Sequence, residues 1–280
     1  MTAHIFLSPH YDDAPGSCAG AIQRLVKAGK EVCVLTLFTG MQHPLSDFAT
    51  RLHADWGLDD PMPSRAAENA TACQILGCRP ESLGFPDAIY RRGADGAALY
   101  DTFDAIKAEP ANEDLSLPGK IADAIESHIG TNDAVIYCPL SLGNHVDHVV
   151  TRHAGEALAQ RGWQVIYYTD FFYDSFAEPT RFAERDQKLL PGTLQLTRQE
   201  LAQSEAVIAA YVSQIEALFG GAKGLKMYCL KHGLSERYYF LNEAARAAFL
   251  NSLPRPGGAM SETLTFLTCL ADRVRTKLLA

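Results

Sequence analysis

The chain has 280 residues, 47% hydrophobic and 21% charged, proportions that exclude a largely disordered chain or a long coiled coil. Its formal net charge of −8, with no basic run, excludes nucleic acid and anionic membrane as expected partners, since both reward clustered Lys and Arg. The start, MTAHIFLSPHYDD, lacks the basic and long apolar regions of a secretory signal, and no segment reaches membrane-spanning length. Seven scattered cysteines, with no C-x-x-C pair, read as reduced core residues of a cytoplasmic protein.

In chain order, HIFLS at 4–8 reads as a buried strand, followed by a turn with Pro9, Pro15 and Gly16. Ile22, Leu25 and Val26 recur at helical spacing, and Gly29 ends that helix. EVCVLTLF at 31–38 is the next strand, which completes a βαβ unit. Residues 40–64, with Pro44, Trp56, Gly57 and Pro61, read as a long substrate-facing loop with one helical turn. A helix over 64–76 with Ser64 as N-cap, a strand at SLGF, and a second irregular stretch over 88–118 follow. A helix over 119–129 leads to the strand DAVIYCP, then to a helix from Val149 to Gln160 and the strand WQVIYYTDFFY. The rest reads as a helix over 198–219, late strands at LKMYCLKH and RYYFL, and a final helical tail over 252–280. The sum is one α/β domain over 1–280, a mostly parallel sheet flanked by helices.

Two segments carry chemistry: Pro9-His10-Tyr11-Asp12-Asp13 after the first strand, and His145-Val146-Asp147-His148 after DAVIYCP. Each alone is explained by a capping turn or a solvated helix start. Both leave the carboxyl ends of buried strands, however, and in an open parallel sheet those turns share one crevice. Two histidines and a carboxylate meeting there suit a catalytic zinc with one open position. Competing signatures are missing: there is no G-x-G-x-x-G, no P-loop and no H-E-x-x-H, and Ser141 in PLSLG lacks the first glycine of a nucleophile elbow.

With these residues in view, SPHYDDAPG and the later HVDH resemble the LmbE-like (PIG-L) zinc deacetylase family, whose motifs are usually written H-P-D-D and H-P-D-H. Arg65 and Glu68 match an R-x-x-E helix, LGFPD at 83–87 a strand-ending aspartate, and Tyr211, Ser213 and Gln214 a Y-x-S-Q helix. The resemblance covers about residues 4–241; Tyr11 and Val146 depart from it where proline is common.

The resemblance implies a Rossmann-like fold in which His10, Asp13 and His148 bind Zn2+, with Fe2+ suited to the same N/O donors. It makes Asp12 the general base, His145 the oxyanion stabiliser or acid, and Asp147 the residue that orients His145. Arg65 and Asp87 are implied substrate contacts. Trp56, on the loop 40–64 with Phe48, is expected to stack on a sugar at the pocket mouth. The activity implied is removal of an N-acyl group, an acetyl by expectation, from an amino sugar or glycosylated small molecule. A zinc amidase of thiol conjugates and a non-catalytic sugar- or nucleotide-binding domain are the alternatives.

Overall fold

The computed structural model describes residues 2–130, 133–171 and 189–254. Its strands are β1 (Ala3–Ser8), β2 (Val32–Gly40), β3 (Arg79–Pro86), β4 (Ala134–Pro139), β5 (Gln164–Tyr168), β6 (Leu190–Gln195) and β7 (Ser235–Phe240). The helices are α1 (Asp13–Lys27), α2 (Asp47–Trp56), α3 (Pro61–Leu76), α4 (Phe103–Ile106), α5 (Leu117–Ile129), α6 (Val146–Gln160), α7 (Arg198–Ala209), α8 (Val212–Phe219), α9 (Ala222–His232) and α10 (Glu243–Ser252). Among the described residues, no helix is long and apolar enough to cross a membrane.

One seven-stranded sheet runs in the order β3-β2-β1-β4-β5-β7-β6. Its first five strands pair in parallel, and β7 then pairs antiparallel with both β5 and β6. β1 and β4 are buried along their whole length, as expected of strands covered on both faces. One face carries α1 and α3, through Ile22, Leu25, Cys73 and Leu76. The other carries α5 and α6, through Ile125, Val150, Ala154 and Leu158. The strand order reverses between β1 and β4, the switch point where a crevice opens at the carboxyl ends of the strands.

The parallel sheet flanked by helices matches the sequence expectation, and several elements differ from it. Residues 40–64 hold a full helix, α2, capped by the Ser46 side chain and closed by left-handed Gly57. Phe48, Ala49 and Leu52 form its buried stripe. α3 starts at Pro61 with Asp60, not Ser64, as its cap. Residues 225–232, expected as a strand, belong to α9, because Leu225 and Cys229 sit one turn apart and pack on Leu201 and Ile208 of α7. The expected helix over 198–219 breaks at Tyr211 (φ −85°, ψ 62°), whose hydroxyl is tied elsewhere. β6 was not expected: it contains Pro191 and Gly192, and among its six residues only Leu194 is buried, so no apolar run marks it. β5 ends at Tyr168, short of the expected strand, whose last residues, 172 and 173, lie outside the described residues. The tail expected over 252–280 also falls outside them from residue 255 onward.

α6 lies close enough on β4 that a Cβ on Gly155 would stand 2.5 Å from the Cys138 sulfur. Gly155→Ala is therefore expected to destabilise the protein by about 1–3 kcal/mol through overpacking. Adding Cys138→Ala should recover part of that loss; urea unfolding of the single and double variants checks both expectations.

Candidate active site

The turn after β1 builds the first half of the site. Ser8 Oγ donates to the His10 carbonyl oxygen and accepts from Ala14 N at 2.9 Å, which closes the turn onto the start of α1. Asp13 opens α1, and its Oδ2 accepts from His10 N at 2.7 Å. That same oxygen lies 3.2 Å from His10 Nδ1 and 3.3 Å from His148 Nε2. His148 comes from the first turn of α6, beyond β4. The structure thus joins the two halves across the switch point at a single carboxylate oxygen.

The loop before α6 is under backbone constraint. Ser141 and Asn144 both take positive φ, 62° and 56°, a conformation costly for residues with a Cβ and best tolerated by Asn and Asp. The loop is held by Leu142 N, which donates to Asp170 Oδ2 at 2.9 Å. Asp170 follows β5, and its Oδ1 lies 2.5 Å from His148 Nδ1. Sequence reasoning missed this residue, although it occupies the same topological position as the two motifs.

The second nitrogen of His10 is also held. Its Nε2 lies 3.0 Å from Asp147 Oδ2 and 3.6 Å from Asp87 Oδ2. Asp147 is fully buried and accepts from Ala88 N at 3.0 Å and Arg91 Nη1 at 2.5 Å. Arg91, a second residue that sequence reasoning missed, is buried between the Phe38 and Tyr100 rings and pairs with Asp114 at 2.9 Å. Asp147 was expected to orient His145. Its carboxylate is hydrogen-bonded to His10 and lies within 4.8 Å of a His145 ring nitrogen, while its backbone amide donates to His145 Nδ1 at 3.2 Å.

His10, Asp13 and His148 offer one ligand atom each, all within 4.8 Å of one another. The donors are two imidazole nitrogens and one carboxylate oxygen, and each imidazole is held at its other nitrogen by a carboxylate. That carboxylate–histidine pattern fixes the tautomer and raises ligand basicity, so the side chains fit a divalent transition metal such as zinc.

Electrostatics agree with this donor set. Burial opposes charge on His148, but Asp13 and Asp170 outweigh it and raise its pKa to about 10. Burial opposes charge on His10 likewise, and Asp87, Asp13 and Asp147 push its pKa well above the usual value. Asp147 stays ionised despite burial because Arg91 and His10 hold it far down. Asp87 is raised, mainly by burial and the nearby Asp147. His145 goes the other way: burial and the neighbouring His10 lower it well below the ordinary value and keep it neutral.

A cavity of about 400 Å³ opens over this floor. His10, Asp12, Asp13, His145, Arg65, Asp87 and Trp56 all line it, while Asp147 and His148 lie buried beneath. Phe48, expected beside Trp56, is buried in the core instead. Asp12 Oδ1 accepts from Arg65 Nη2 at 3.1 Å, and the Arg65 guanidinium lies 5.5 Å from the Trp56 ring centre.

The weaker motifs turn out to interlock. Glu68 accepts from Ser213 N and Oγ at 2.7 and 2.8 Å. The Tyr211 hydroxyl lies 2.9 Å from both the Tyr11 carbonyl oxygen and Asn69 Oδ1. These bonds clamp α3 and α8 onto the first motif and account for the break in the expected helix at Tyr211.

The GlcNAc-PI de-N-acetylase (PIG-L) family model matches residues 5–159, more than half of the sequence, and the chain belongs to that family of deacetylases. The 2'-N-acetylparomamine deacetylase of Niallia circulans is 29% identical over 238 residues, covering 78% of this chain and 82% of the relative. The zinc-inhibited form of teicoplanin deacetylase superposes with a TM-score of 0.75 at 26% identity, over 85% of this chain and 97% of that one. A deacetylase–teicoplanin complex matches with a TM-score of 0.72 at 26% identity, over 85% and 98% of the two chains.

Arg91 holds Asp147, which in turn holds His10. Arg91→Met should therefore weaken zinc binding by about 10–100-fold, the usual cost of losing an outer partner of a metal ligand. Competition for zinc with a chromophoric chelator measures this; unchanged affinity would show that Asp147 needs no support from Arg91.

Proposed function

We propose that the chain is a zinc-dependent N-deacetylase that hydrolyses an N-acetyl group on an amino sugar carried by a small molecule, releasing acetate and a free amine. The observation that carries this reading is the placement of Asp12, a carboxylate outside the ligand set, on the cavity wall beside His10, Asp13 and His148. Membership of a deacetylase family supports the reaction, and relatives named for paromamine and teicoplanin support the substrate class.

His10 Nδ1, Asp13 Oδ2 and His148 Nε2 would hold the ion, leaving a position open. Zinc there supplies a Lewis acid toward the amide carbonyl and lowers the pKa of the attacking water; iron(II) accepts the same donors. Asp12 takes the proton from that water and passes it to the departing nitrogen. Its hydrogen bond to Arg65 fixes the carboxylate for this task. His145 is neutral and accepts at Nδ1 from Asp147 N, so its proton sits on Nε2. It acts as an N–H donor to the carbonyl oxygen as charge develops, and the proton for the amine comes from Asp12.

The Arg65 guanidinium lies at the cavity wall, where its Nη2 is bonded to Asp12. The Trp56 ring beside it offers a face for a sugar. The six described cysteines are free thiols, in keeping with a cytoplasmic enzyme.

Acetate release from N-acetylglucosaminides by zinc-loaded protein tests the reaction, and Asp12→Asn tests the base. That variant should keep its zinc and lose about 10²–10⁴-fold in kcat. Turnover equal to that of the native protein would remove Asp12 from the mechanism, and loss of zinc would make Asp12 a ligand.

A further inference from the structure

Helix α3 ends on two side chains that the deacetylase chemistry leaves unused. Cys78 N donates to the Cys73 carbonyl oxygen at 3.1 Å, and Gly77 N donates to the Gln74 carbonyl oxygen at 3.2 Å. Gly77 is left-handed, with φ 76°. Two such bonds around a left-handed glycine make a Schellman motif, in which the residue after the glycine packs back on a residue of the last helical turn. Here a cysteine holds both positions, Cys78 after the glycine and Cys73 in the turn.

Apolar side chains usually make that contact, and two inert thiols would serve. This pair departs from an inert contact in three ways. The sulfurs are held in place: Cys73 Sγ donates to Asn69 Oδ1 at 3.7 Å, and Cys78 Sγ lies 3.8 Å from the Cys73 carbonyl oxygen. Cys78 is half-buried, whereas the other five described cysteines are buried. Finally, the Cys73 thiol hydrogen-bonds to the Cys78 sulfur and holds its pKa below the ordinary thiol value. Burial pushes the thiols of Cys18, Cys33, Cys138 and Cys229 up instead. Thiolate character together with access makes a cysteine reactive, and a second thiol fixed beside it can resolve the product to a disulfide. A disulfide also needs the two main chains close together, which the direct backbone bond from Cys78 to Cys73 provides.

We propose that Cys73 and Cys78 form a dithiol modification site, which a low-molecular-weight disulfide converts to an intrachain disulfide. The Cys78 thiolate attacks one sulfur of the reagent, forms a mixed disulfide and expels one thiolate. Cys73 then gives up its proton to solvent, attacks the Cys78 sulfur and expels the second thiolate. Two protein thiols are oxidised, and one reagent disulfide is reduced to two thiols. Excess dithiol runs the exchange backwards. Neither cysteine lines the active-site cavity, so substitution here reads the thiols separately from the reaction centre.

The test incubates the zinc-loaded full chain with glutathione disulfide, caps remaining thiols with N-ethylmaleimide in urea, and maps the peptides by mass spectrometry. The native chain should lose two cappable thiols, both to a Cys73–Cys78 cross-link, and dithiothreitol should return them. Cys73→Ala should stop at a glutathione adduct on Cys78, and Cys78→Ser should leave Cys73 reduced. Circular dichroism confirms that each variant is folded; should one fail to fold, the map of the native chain decides alone. Absence of the cross-link, a lasting glutathione adduct on Cys78 with Cys73 still free, or a cross-link from either residue to a different cysteine would each overturn the proposal. Equal rates of cross-linking in the folded chain and in urea would overturn it as well, because the helix end would then contribute nothing.

Discussion

The site depends on one oxygen. Asp13 Oδ2 receives the backbone amide of its own turn and faces an imidazole nitrogen from each side of the sheet's switch point. β1 delivers Asp13 and His10, and β4 delivers His148 through the first turn of α6, so the three meet only if β1 and β4 are neighbours in register. The parallel pairing of two fully buried strands provides that register. The bonds of Tyr211 and Ser213 to Tyr11, Asn69 and Glu68 then fix the turn from the outside. Core packing and site geometry are here a single constraint, because a shift of either strand would separate ligands that lie far apart in sequence.

The same oxygen sits in a dense field of negative charge. Asp13, Asp87, Asp147 and Asp170 are brought together around two imidazoles. Burying that many carboxylates is costly unless positive charge is supplied. Arg91 answers Asp147, and Arg65 answers Asp12. The rest is met by His10 and His148, both of which hold a proton far above the usual range because of these carboxylates. Those two protons stand where a divalent cation would supply the same two charges. His145 is driven neutral instead, because burial and the neighbouring His10 and His148 outweigh Asp147 and Asp13. One cluster thereby prepares cation ligands and a neutral hydrogen-bond donor within a few ångströms.

Much of this was legible in the sequence, for identifiable reasons. The βαβ start, the buried strands and the two His-plus-Asp motifs were readable because apolar runs mark the parallel strands and ligand pairs follow their ends. Asp170 was hidden within WQVIYYTDFFY, where a continuous aromatic run masked the end of β5. Attention to carboxylates at strand ends alone would have found it. Arg91 gave no local signal, since its role depends on meeting Asp147 across the fold. α2 was concealed by the prolines on either side of it, and α9 by an apolar spacing that also suits a strand. The orientation of Asp147 toward His10 was invisible because His145 is its neighbour in sequence, whereas the geometry of the α6 N-terminus decides which imidazole its carboxylate meets.

The central claim is that one oxygen of Asp13 unites His10 and His148 into a metal centre. Calorimetric titration of zinc into chelator-stripped protein tests it most directly, with native protein and Asp13→Ala measured side by side and circular dichroism confirming that both are folded. The account predicts one zinc per native chain and loss of that site in Asp13→Ala. Equal stoichiometry and affinity in the two proteins would contradict it.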